Sequence, residues 1–472
     1  MNAPGVVKQL GIAVVALAAL ALACSVVAMF EDDRSSLSGL LVTGVGAGAF
    51  GAFWLVLIRD ARSHTGSREA LTFVAMFWVI TPLLSAPPFL FSGVVHSWWS
   101  AVFESTSNLT TTGSTLGGPV QPMALRLWRA ALQFYGGVYS VVIAVMVLAA
   151  LNKAGPGIHR SHFLVMTKDD LFSRLPRVAL TVAGIYGGLA FMGAVLIYLS
   201  SQQLGLADGL CRSVAAISTS ATIPGDGGSE IFSPLSVLVT IILMFIGATN
   251  IATHADITSR NGWRNYLSDN EMSALLIGVA LLGAGACMIK GNLDIRMFAE
   301  ALSLISTSGM SVTGVEPLSD RMPQPVPELI AFVGGSALST AGGLKIARIL
   351  ILLNRSGNEF TRLAYSHSLA PFRYKGRRRE DDVVVGVWVY LVAYTAAACA
   401  VGVLLTLSGS EFDTSFRAAI GAISNTGSLM DVAVSDQAPS NFVLLTLCIG
   451  CILGRIEVLA IAPLFTLDFW RK

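Results

Sequence analysis

Long apolar runs alternate with short polar connections along almost the whole chain. A membrane-spanning helix needs about 20 mostly apolar residues, and ten stretches of the chain have that character. They are residues 9–30, 38–58, 70–92, 127–151, 178–200, 232–256, 270–289, 326–353, 383–407 and 441–469. The pattern predicts an all-α polytopic membrane protein with about ten transmembrane helices.

A short, hydroxyl-rich segment recurs four times between these runs. Aligned on their last residues, the copies are NLTTTG ending at Gly113, AISTSA ending at Ala221, LISTSG ending at Gly309 and AISNTG ending at Gly427. Their separations are 108, 88 and 118 residues. Self-similarity at a near-constant period indicates internal repeats. We therefore predict four repeats, at 61–160, 161–260, 261–360 and 361–472, behind an appended two-helix hairpin at 1–60.

A short helix is predicted directly before each hexamer. The four cover residues 97–108, 207–218, 294–306 and 413–424, with Ser97, Asp208, Asp294 and Asp413 as expected N-caps. Each is too short to cross a bilayer, so it must enter the membrane and turn back. Non-helical backbone at that depth is tolerated only inside protein or beside water. Four such turns predict a pore.

The hexamers are the candidate selectivity filter of this pore. The partly negative C-terminal end of each short helix favours a cation, and the backbone that follows can turn carbonyl oxygens towards it. Ordinary small-residue contacts between helices are the alternative. The predicted filter residues are Thr111, Thr112, Gly113, Thr219, Ser220, Ala221, Thr307, Ser308, Gly309, Asn425, Thr426 and Gly427.

Composition and charge support a membrane protein and set its orientation. The chain is 54% hydrophobic and only 13% charged, with a mean hydropathy of +0.68, which excludes an ordinary soluble composition. Basic residues concentrate in the connections 59–69, 151–177, 257–269 and 354–382. The positive-inside rule places these connections and both termini in the cytoplasm. A docking surface for a partner is the other interpretation of the basic loops, whereas the net charge of +2 gives no reason to expect nucleic acid.

Five segments resemble the Trk/Ktr/HKT superfamily of potassium transporters, and most closely its Trk-type bacterial membrane subunit. They are ALTFVAMFWVITPLLSAPPFLFSG at 70–93, FESTSNLTTTGST at 103–115, LWRAALQFYGG at 127–137, GGSALSTAGGLKIARIL at 334–350 and LGRIEVLAIAPLFTLDFWR at 453–471. The resemblance implies four pseudo-equivalent pore domains in one chain of the bacterial inner membrane. It also implies a homodimer, a cytosolic RCK-type nucleotide-binding regulatory subunit (TrkA-like), K⁺ as the transported ion and no covalent cofactor.

Two positions depart from the pattern of this superfamily. Ala221 replaces the usual glycine of the second filter segment, and an L residue in the left-handed conformation costs about 1 to 2 kcal/mol. We therefore expect only a moderate preference for potassium over sodium. In the glycine-rich gate of the eighth run, Leu338 stands where the family pattern has glycine. We expect its side chain to narrow the path by dewetting.

The eighth run is interrupted by small and polar residues. The candidate gate residues are Gly334, Gly335, Leu338, Gly342, Gly343 and Lys345. Close helix packing would also explain the glycines, but Lys345 at that depth needs water or a polar partner, which favours a broken helix lining the pore.

Arg455 lies 14 residues into the last run, roughly 21 Å from its outer end. Glu457 is a poor partner because positions i and i+2 face different sides of a helix. The resemblance implies that this arginine faces the pore. We expect it to bind carbonyls of the 334–343 loop and to form a positive barrier to cations.

Together these features predict potassium uptake by a channel-like mechanism. A membrane potential supplies about 2.3 kcal/mol per charge per 100 mV, whereas a tenfold concentration ratio opposes entry by about 1.4 kcal/mol. A strong inward-negative potential can therefore sustain potassium accumulation without a coupled ion. The alternatives are a weakly selective sodium and potassium conductor, an ion-coupled cation transporter, and a regulatory subunit that does not conduct. A membrane enzyme would need clustered catalytic side chains, and the sequence offers none.

Overall fold

The computed structural model describes residues 3–59, 66–118, 121–150, 171–200, 204–221, 233–255, 269–312, 317–364, 373–374, 377–378, 381–434 and 439–456. In chain order the first helices are α1 Ala3–Phe30, α2 Arg34–Leu57, α3 Ser67–Ser85, α4 Pro87–Phe91, α5 Trp98–Leu109, α6 Met123–Ala150, α7 Leu171–Ser200, α8 Leu206–Ile217, α9 Pro234–Ala248 and α10 Ile251–Ala255. The remaining helices are α11 Asn270–Lys290, α12 Arg296–Ile305, α13 Leu318–Arg321, α14 Val326–Val333, α15 Ile346–Ala364, α16 Asp381–Leu407, α17 Phe412–Ser424, α18 Gly427–Met430 and α19 Asn441–Ile456. A 3-10 turn covers Asp431–Ala433, and strands β1 Arg373–Tyr374 and β2 Arg377–Arg378 pair antiparallel.

Within the described residues, every predicted apolar run contains at least one helix. Among the described residues, seven helical stretches are long and apolar enough to cross a membrane, and α9 and α19 are shorter apolar helices. The sixth run breaks between α9 and α10, and the eighth breaks between α14 and α15. The described part of the last run ends at Ile456. The all-α polytopic class predicted from the sequence is confirmed.

The N-terminal hairpin packs along the rest of the molecule. Asp33 caps α2 by accepting a hydrogen bond from the Ser36 backbone N–H at 3.2 Å. On α6, the Tyr135 hydroxyl donates to the Ala13 carbonyl of α1 at 2.8 Å. The hairpin therefore lies against the first span that follows a filter segment.

The four short helices predicted before the hexamers are α5, α8, α12 and α17, called pore helices 1 to 4 below. Ser97 caps pore helix 1, as predicted, through a 3.0 Å bond from the Ser100 backbone N–H. Asp294 precedes Ile295 at the start of pore helix 3, and its Oδ1 accepts from the Arg296 backbone N–H at 3.0 Å, as expected of a cap. The other two predicted N-caps are wrong, because Asp208 and Asp413 lie in the first turns of pore helices 2 and 4, after the caps Gly205 and Glu411.

One close contact recurs between a pore helix and the helix that follows its filter segment. A methyl group built on the glycine of the following helix would overlap the carbonyl oxygen near the end of the pore helix. The pairs are Gly136 with Leu109, Gly247 with Ile217, and Gly454 with Ile423. Each carbonyl belongs to the residue four positions before the end of its hexamer. In the third repeat α14 ends at Val333 and a loop takes this place.

Candidate ion pathway

The four hexamers contact one another in the folded protein, although the first and the last end 314 residues apart, at Gly113 and Gly427. The Ala221 backbone N–H donates to the Thr112 carbonyl at 3.3 Å, which joins the first and second segments. The Ser308 hydroxyl donates to the Ser220 carbonyl at 2.9 Å, and Asn425 Nδ2 donates to Thr112 Oγ1 at 3.1 Å. The structure therefore brings the four predicted filter segments into one cluster.

The first predicted filter residue of every segment has a left-handed backbone. The φ values are 55° for Thr111, 51° for Thr219, 58° for Thr307 and 56° for Asn425. A positive φ is uncommon for residues with a Cβ and is a genuine outlier for β-branched threonine. Such strain persists only where the surrounding structure imposes it, and it concentrates at functional sites. The shared turn reverses the chain at the end of each pore helix.

The third filter residue is left-handed in only two segments. Gly113 has a φ of 79° and Gly309 a φ of 64°, whereas neither Ala221 nor Gly427 is among the described residues with positive φ. The expected left-handed strain at Ala221 is therefore wrong, and with it the reason for expecting only a moderate preference for potassium. The Ala221 methyl group instead faces Gly427, where an added Cβ would overlap it.

Arg455 connects the filter to the broken helix beneath it. Its Nε donates to the Thr110 carbonyl at 2.6 Å, and its Nη1 donates to the Thr340 carbonyl at 2.6 Å. Nη2 donates to the hydroxyl of Thr111. The Arg455 side chain is only 8% exposed, and the protein itself supplies acceptors for the guanidinium N–H groups. The predicted bond to a carbonyl of the 334–343 loop is present, and the contacts with Thr110 and Thr111 are additional.

Four glycines allow the gate loop, residues 334–345, to fold against the pore helices. Gly334 and Gly343 have φ values of 73° and 77°, and each would collide with the other's backbone if it carried a Cβ. A methyl group on Gly342 would overlap the Ser424 carbonyl of pore helix 4, and one on Gly335 would press on Ala341. The Gly342 N–H donates to the Thr307 hydroxyl at 2.6 Å. The loop therefore touches the filter directly.

Two cations line a cavity of about 30 Å³ between the gate loop and α19. Arg455 is one of them, and Lys345, whose Nζ donates to the Ala341 carbonyl, is the other. A space of this size holds about one or two water molecules. Leu338 does not line the cavity: its side chain is 3% exposed and belongs to the hydrophobic core, while its carbonyl accepts from the Ile251 N–H at 3.0 Å. The expected constriction at Leu338 is therefore not found here.

A carboxyl group lies at the other end of the filter. The Ser114 hydroxyl, directly after Gly113, donates to Asp431 Oδ1 in the 3-10 turn that follows the fourth segment. Burial raises the pKa of the Asp431 carboxyl to about 7, although the Ser114 bond lowers it. Burial thus favours the neutral form of the Asp431 carboxyl.

Sequence reasoning missed a set of buried polar side chains inside the pore helices. They are Glu104, Ser107, Arg212, Glu300 and Ser303, all of which are at most 2% exposed. The signal for them was available, because the glutamates and the serines recur at the same distance from the ends of two hexamers. Alignment of the hexamers alone did not extend far enough upstream to reveal it.

Known proteins are similar to this chain in both fold and sequence. The family model described as TrkH, Cation transport protein, matches residues 302–469. The Trk system potassium uptake protein TrkH of Salmonella typhimurium is 28% identical over 432 residues, covering 88% of each chain. TrkG of Escherichia coli is 26% identical over 470 residues, covering 95% of this chain and 94% of that protein. The crystal structure of the potassium transporter TrkH from Vibrio parahaemolyticus covers 100% of both chains with a TM-score of 0.87 and 24% identity.

Together, the fold and the site define a polytopic membrane protein in which four short helices lead into one cluster formed by the four hexamers. The crystal-structure match supports this fold. The family match over residues 302–469 and the sequence matches over 88% to 95% of the chain confirm the resemblance to the Trk-type membrane subunits.

Proposed function

We propose that this protein takes up potassium ions across the bacterial inner membrane through its four filter segments. The observation that carries the proposal is the convergence of four pore helices on segments that begin with the same left-handed residue. Each helix directs its partly negative C-terminal end at the cluster, and backbone carbonyls there replace the hydration shell of a cation. The membrane potential drives the ion inwards without a coupled substrate.

The gate loop and Arg455 regulate this path below the filter. A positive side chain near the path raises the energy of a cation there, and the loop that holds it is attached to the filter through Gly342 and to the core through Leu338. Movement of the loop would shift the Thr340 carbonyl and, with it, the guanidinium group of Arg455. The loop and the arginine thus form one gating unit.

Assembly follows from the resemblance and from the names of the relatives, which are components of a Trk system. A multi-component system includes other subunits. The partners in this proposal are a second copy of the chain and a cytosolic RCK-type nucleotide-binding subunit. Both termini and the basic connections face the cytoplasm, where such a subunit would dock.

Flux measurements in proteoliposomes test the proposed function. Purified protein in vesicles should admit rubidium or potassium when an inward-negative potential is imposed, and excess sodium should compete weakly. Equal competition by sodium would indicate a weakly selective conductor. Uptake that requires a proton or sodium gradient would indicate a coupled transporter, and the absence of any flux would contradict the proposal.

The Ala221→Gly variant should raise potassium flux while leaving the preference for potassium over sodium unchanged. The methyl group of Ala221 faces Gly427, so its removal widens the space between the second and fourth segments. It relieves no left-handed strain, because Ala221 has none. Reversal potentials in mixed salts and initial flux rates measure the two effects. A sharper preference for potassium in Ala221→Gly would support the original expectation that backbone strain at Ala221 weakens selectivity.

The Leu338→Ala variant should lower stability rather than widen the path. Truncating a buried leucine costs about 2 to 5 kcal/mol, and Leu338 is 3% exposed in the core. Leu338→Met, which preserves volume, should cost less than about 1.5 kcal/mol. Thermal unfolding in detergent compares the variants, and flux is measured alongside. A large flux increase in a fully stable Leu338→Ala protein would show that the Leu338 side chain does constrict the ion path.

A further inference from the structure

Pore helices 1 and 3 carry the same two polar side chains at the same positions. Nine residues before the last residue of the hexamer stands a glutamate, Glu104 or Glu300, and six residues before it stands a serine, Ser107 or Ser303. All four are at most 2% exposed. A buried polar group is costly unless it forms hydrogen bonds, so their partners indicate their role.

The serines hold the backbone directly after the filter. The Ser107 hydroxyl donates to the Ser114 carbonyl at 2.7 Å, and the Ser303 hydroxyl donates to the Met310 carbonyl at 2.6 Å. Ser114 and Met310 are the residues that follow Gly113 and Gly309. The same hydrogen bond therefore anchors the ends of the first and third hexamers to their own pore helices.

The glutamates hold the backbone two residues further on. Glu104 Oε1 accepts from the Leu116 N–H at 2.7 Å, and Glu300 Oε1 accepts from the Val312 N–H at 3.0 Å. Both bonds span 12 residues. The backbone after the first and third hexamers is thus bound to its own pore helix twice, through one carbonyl group and through one N–H group.

Buried cations compensate both carboxylates. Arg129 Nη1 forms an ion pair with Glu104 Oε2 at 2.6 Å. Arg212 of pore helix 2 interacts electrostatically with Glu300 and donates from Nη2 to the Val312 carbonyl at 2.9 Å. Charge-assisted hydrogen bonds of this kind are stronger than neutral ones, so the supports of the first and third segments are stiff.

Pore helices 2 and 4 have no counterpart of these groups. The positions six residues before the ends of their hexamers are Ala215 and Gly421, and those nine residues before are Arg212 and Ala418. None of these four side chains supplies a hydroxyl or a carboxylate. The second and fourth segments therefore have no equivalent serine or glutamate bond to their own helices.

Backbone conformation follows the same alternation. The N–H groups of Gly113 and Gly309 both donate to their own pore helix, at 3.1 Å to the Ser107 and Ser303 carbonyls. The Ala221 N–H donates instead to Thr112 of the first segment. Left-handed φ values at the third filter residue occur at Gly113 and Gly309 alone among the four segments. Sequence, hydrogen bonds and dihedral angles thus divide the filter in the same way.

We propose that the filter consists of two unequal pairs of segments, in which Ser107 and Ser303 are the positioning residues that set its selectivity. The inference rests on the proposed function, because it concerns how the conducting filter discriminates between ions. Carbonyls fixed by the serine and glutamate bonds resist closing around the smaller sodium ion, whereas those in segments without these side-chain bonds adapt to either ion. The first and third segments therefore discriminate between potassium and sodium, whereas the second and fourth adapt to whichever ion is bound.

Serine-to-alanine variants test the proposal in matched pairs. Ser107→Ala and Ser303→Ala should each lower the potassium-to-sodium permeability ratio by about 2- to 10-fold, the equivalent of one hydrogen bond, with flux retained. Ser213→Ala and Ser415→Ala are the controls, because these serines are buried in pore helices 2 and 4 and their hydroxyls have no hydrogen-bond partner within the described chain. Unchanged ratios for Ser107→Ala and Ser303→Ala, or equal shifts for the controls, would overturn the proposal.

Hydrogen–deuterium exchange gives a readout that needs no conduction. Peptides covering the first and third hexamers should exchange more slowly than those covering the second and fourth. Ser303→Ala should speed exchange in the third hexamer only, and Ser303→Cys, which keeps a weak donor, should do so less. Equal exchange in all four hexamers contradicts the proposal, whereas absent flux with unequal exchange contradicts only the proposed function.

Discussion

The Arg455→Gln variant is expected to raise basal cation flux by an order of magnitude or more without changing the order of ion preference. A unit charge about 8 Å from a cation costs it about 2 kcal/mol at an effective dielectric constant of about 20, which corresponds to roughly 30-fold in occupancy. Arg455 lines the cavity below the filter together with Lys345. Glutamine removes the charge while keeping a polar side chain of similar reach.

Arg455→Lys separates the charge from the hydrogen bonds. Arginine donates to Thr110, Thr111 and Thr340 at once, and a lysine ammonium group cannot reproduce that planar fork. Both variants should therefore lose stability, but only glutamine should open the path. Flux in proteoliposomes and thermal unfolding in detergent are measured for both. If Arg455→Lys raises flux as much as Arg455→Gln does, Arg455 acts through its hydrogen bonds, and the proposal that its charge forms a barrier to cations is wrong.

The Gly113→Ala variant is expected to abolish most of the discrimination between potassium and sodium. Gly113 has a φ of 79°, and an L residue in this region costs about 1 to 2 kcal/mol. Relief of that strain turns the peptide that follows Thr112, which moves carbonyls out of the filter. Reversal potentials in mixed salts should shift towards equal permeability.

Gly93→Ala provides the matched control for this strain. Gly93 has a φ of 73°, close to that of Gly113, and an added Cβ would meet nothing within 4 Å. The substitution should therefore cost similar stability and leave permeability ratios at the wild-type value. If Gly113→Ala also retains the wild-type ratio, Gly113 does not belong to the filter. If Gly93→Ala changes the ratio as much, the effect reflects general destabilisation.

The sequence alone determined where the helices and the hexamers lie. Apolar runs of spanning length and a motif repeated at near-constant separation are local signals, because each depends on residues close together in the chain. Pore helices 1 to 4 begin and end within a few residues of their predicted limits. The depth of Arg455 required some acceptor, and the family resemblance indicated that this acceptor lies in the gate loop.

Only the tertiary structure decided how the four hexamers differ. The Ala221 N–H donates to the Thr112 carbonyl, more than 100 residues away, and Ala221 stays out of the left-handed region. Leu338 is held in the core, where its carbonyl accepts a hydrogen bond from the Ile251 N–H at the start of α10. The local sequence contains neither partner. Backbone dihedral angles in a pore are set by hydrogen bonds that cross between repeats, so four similar motifs fold into two conformations.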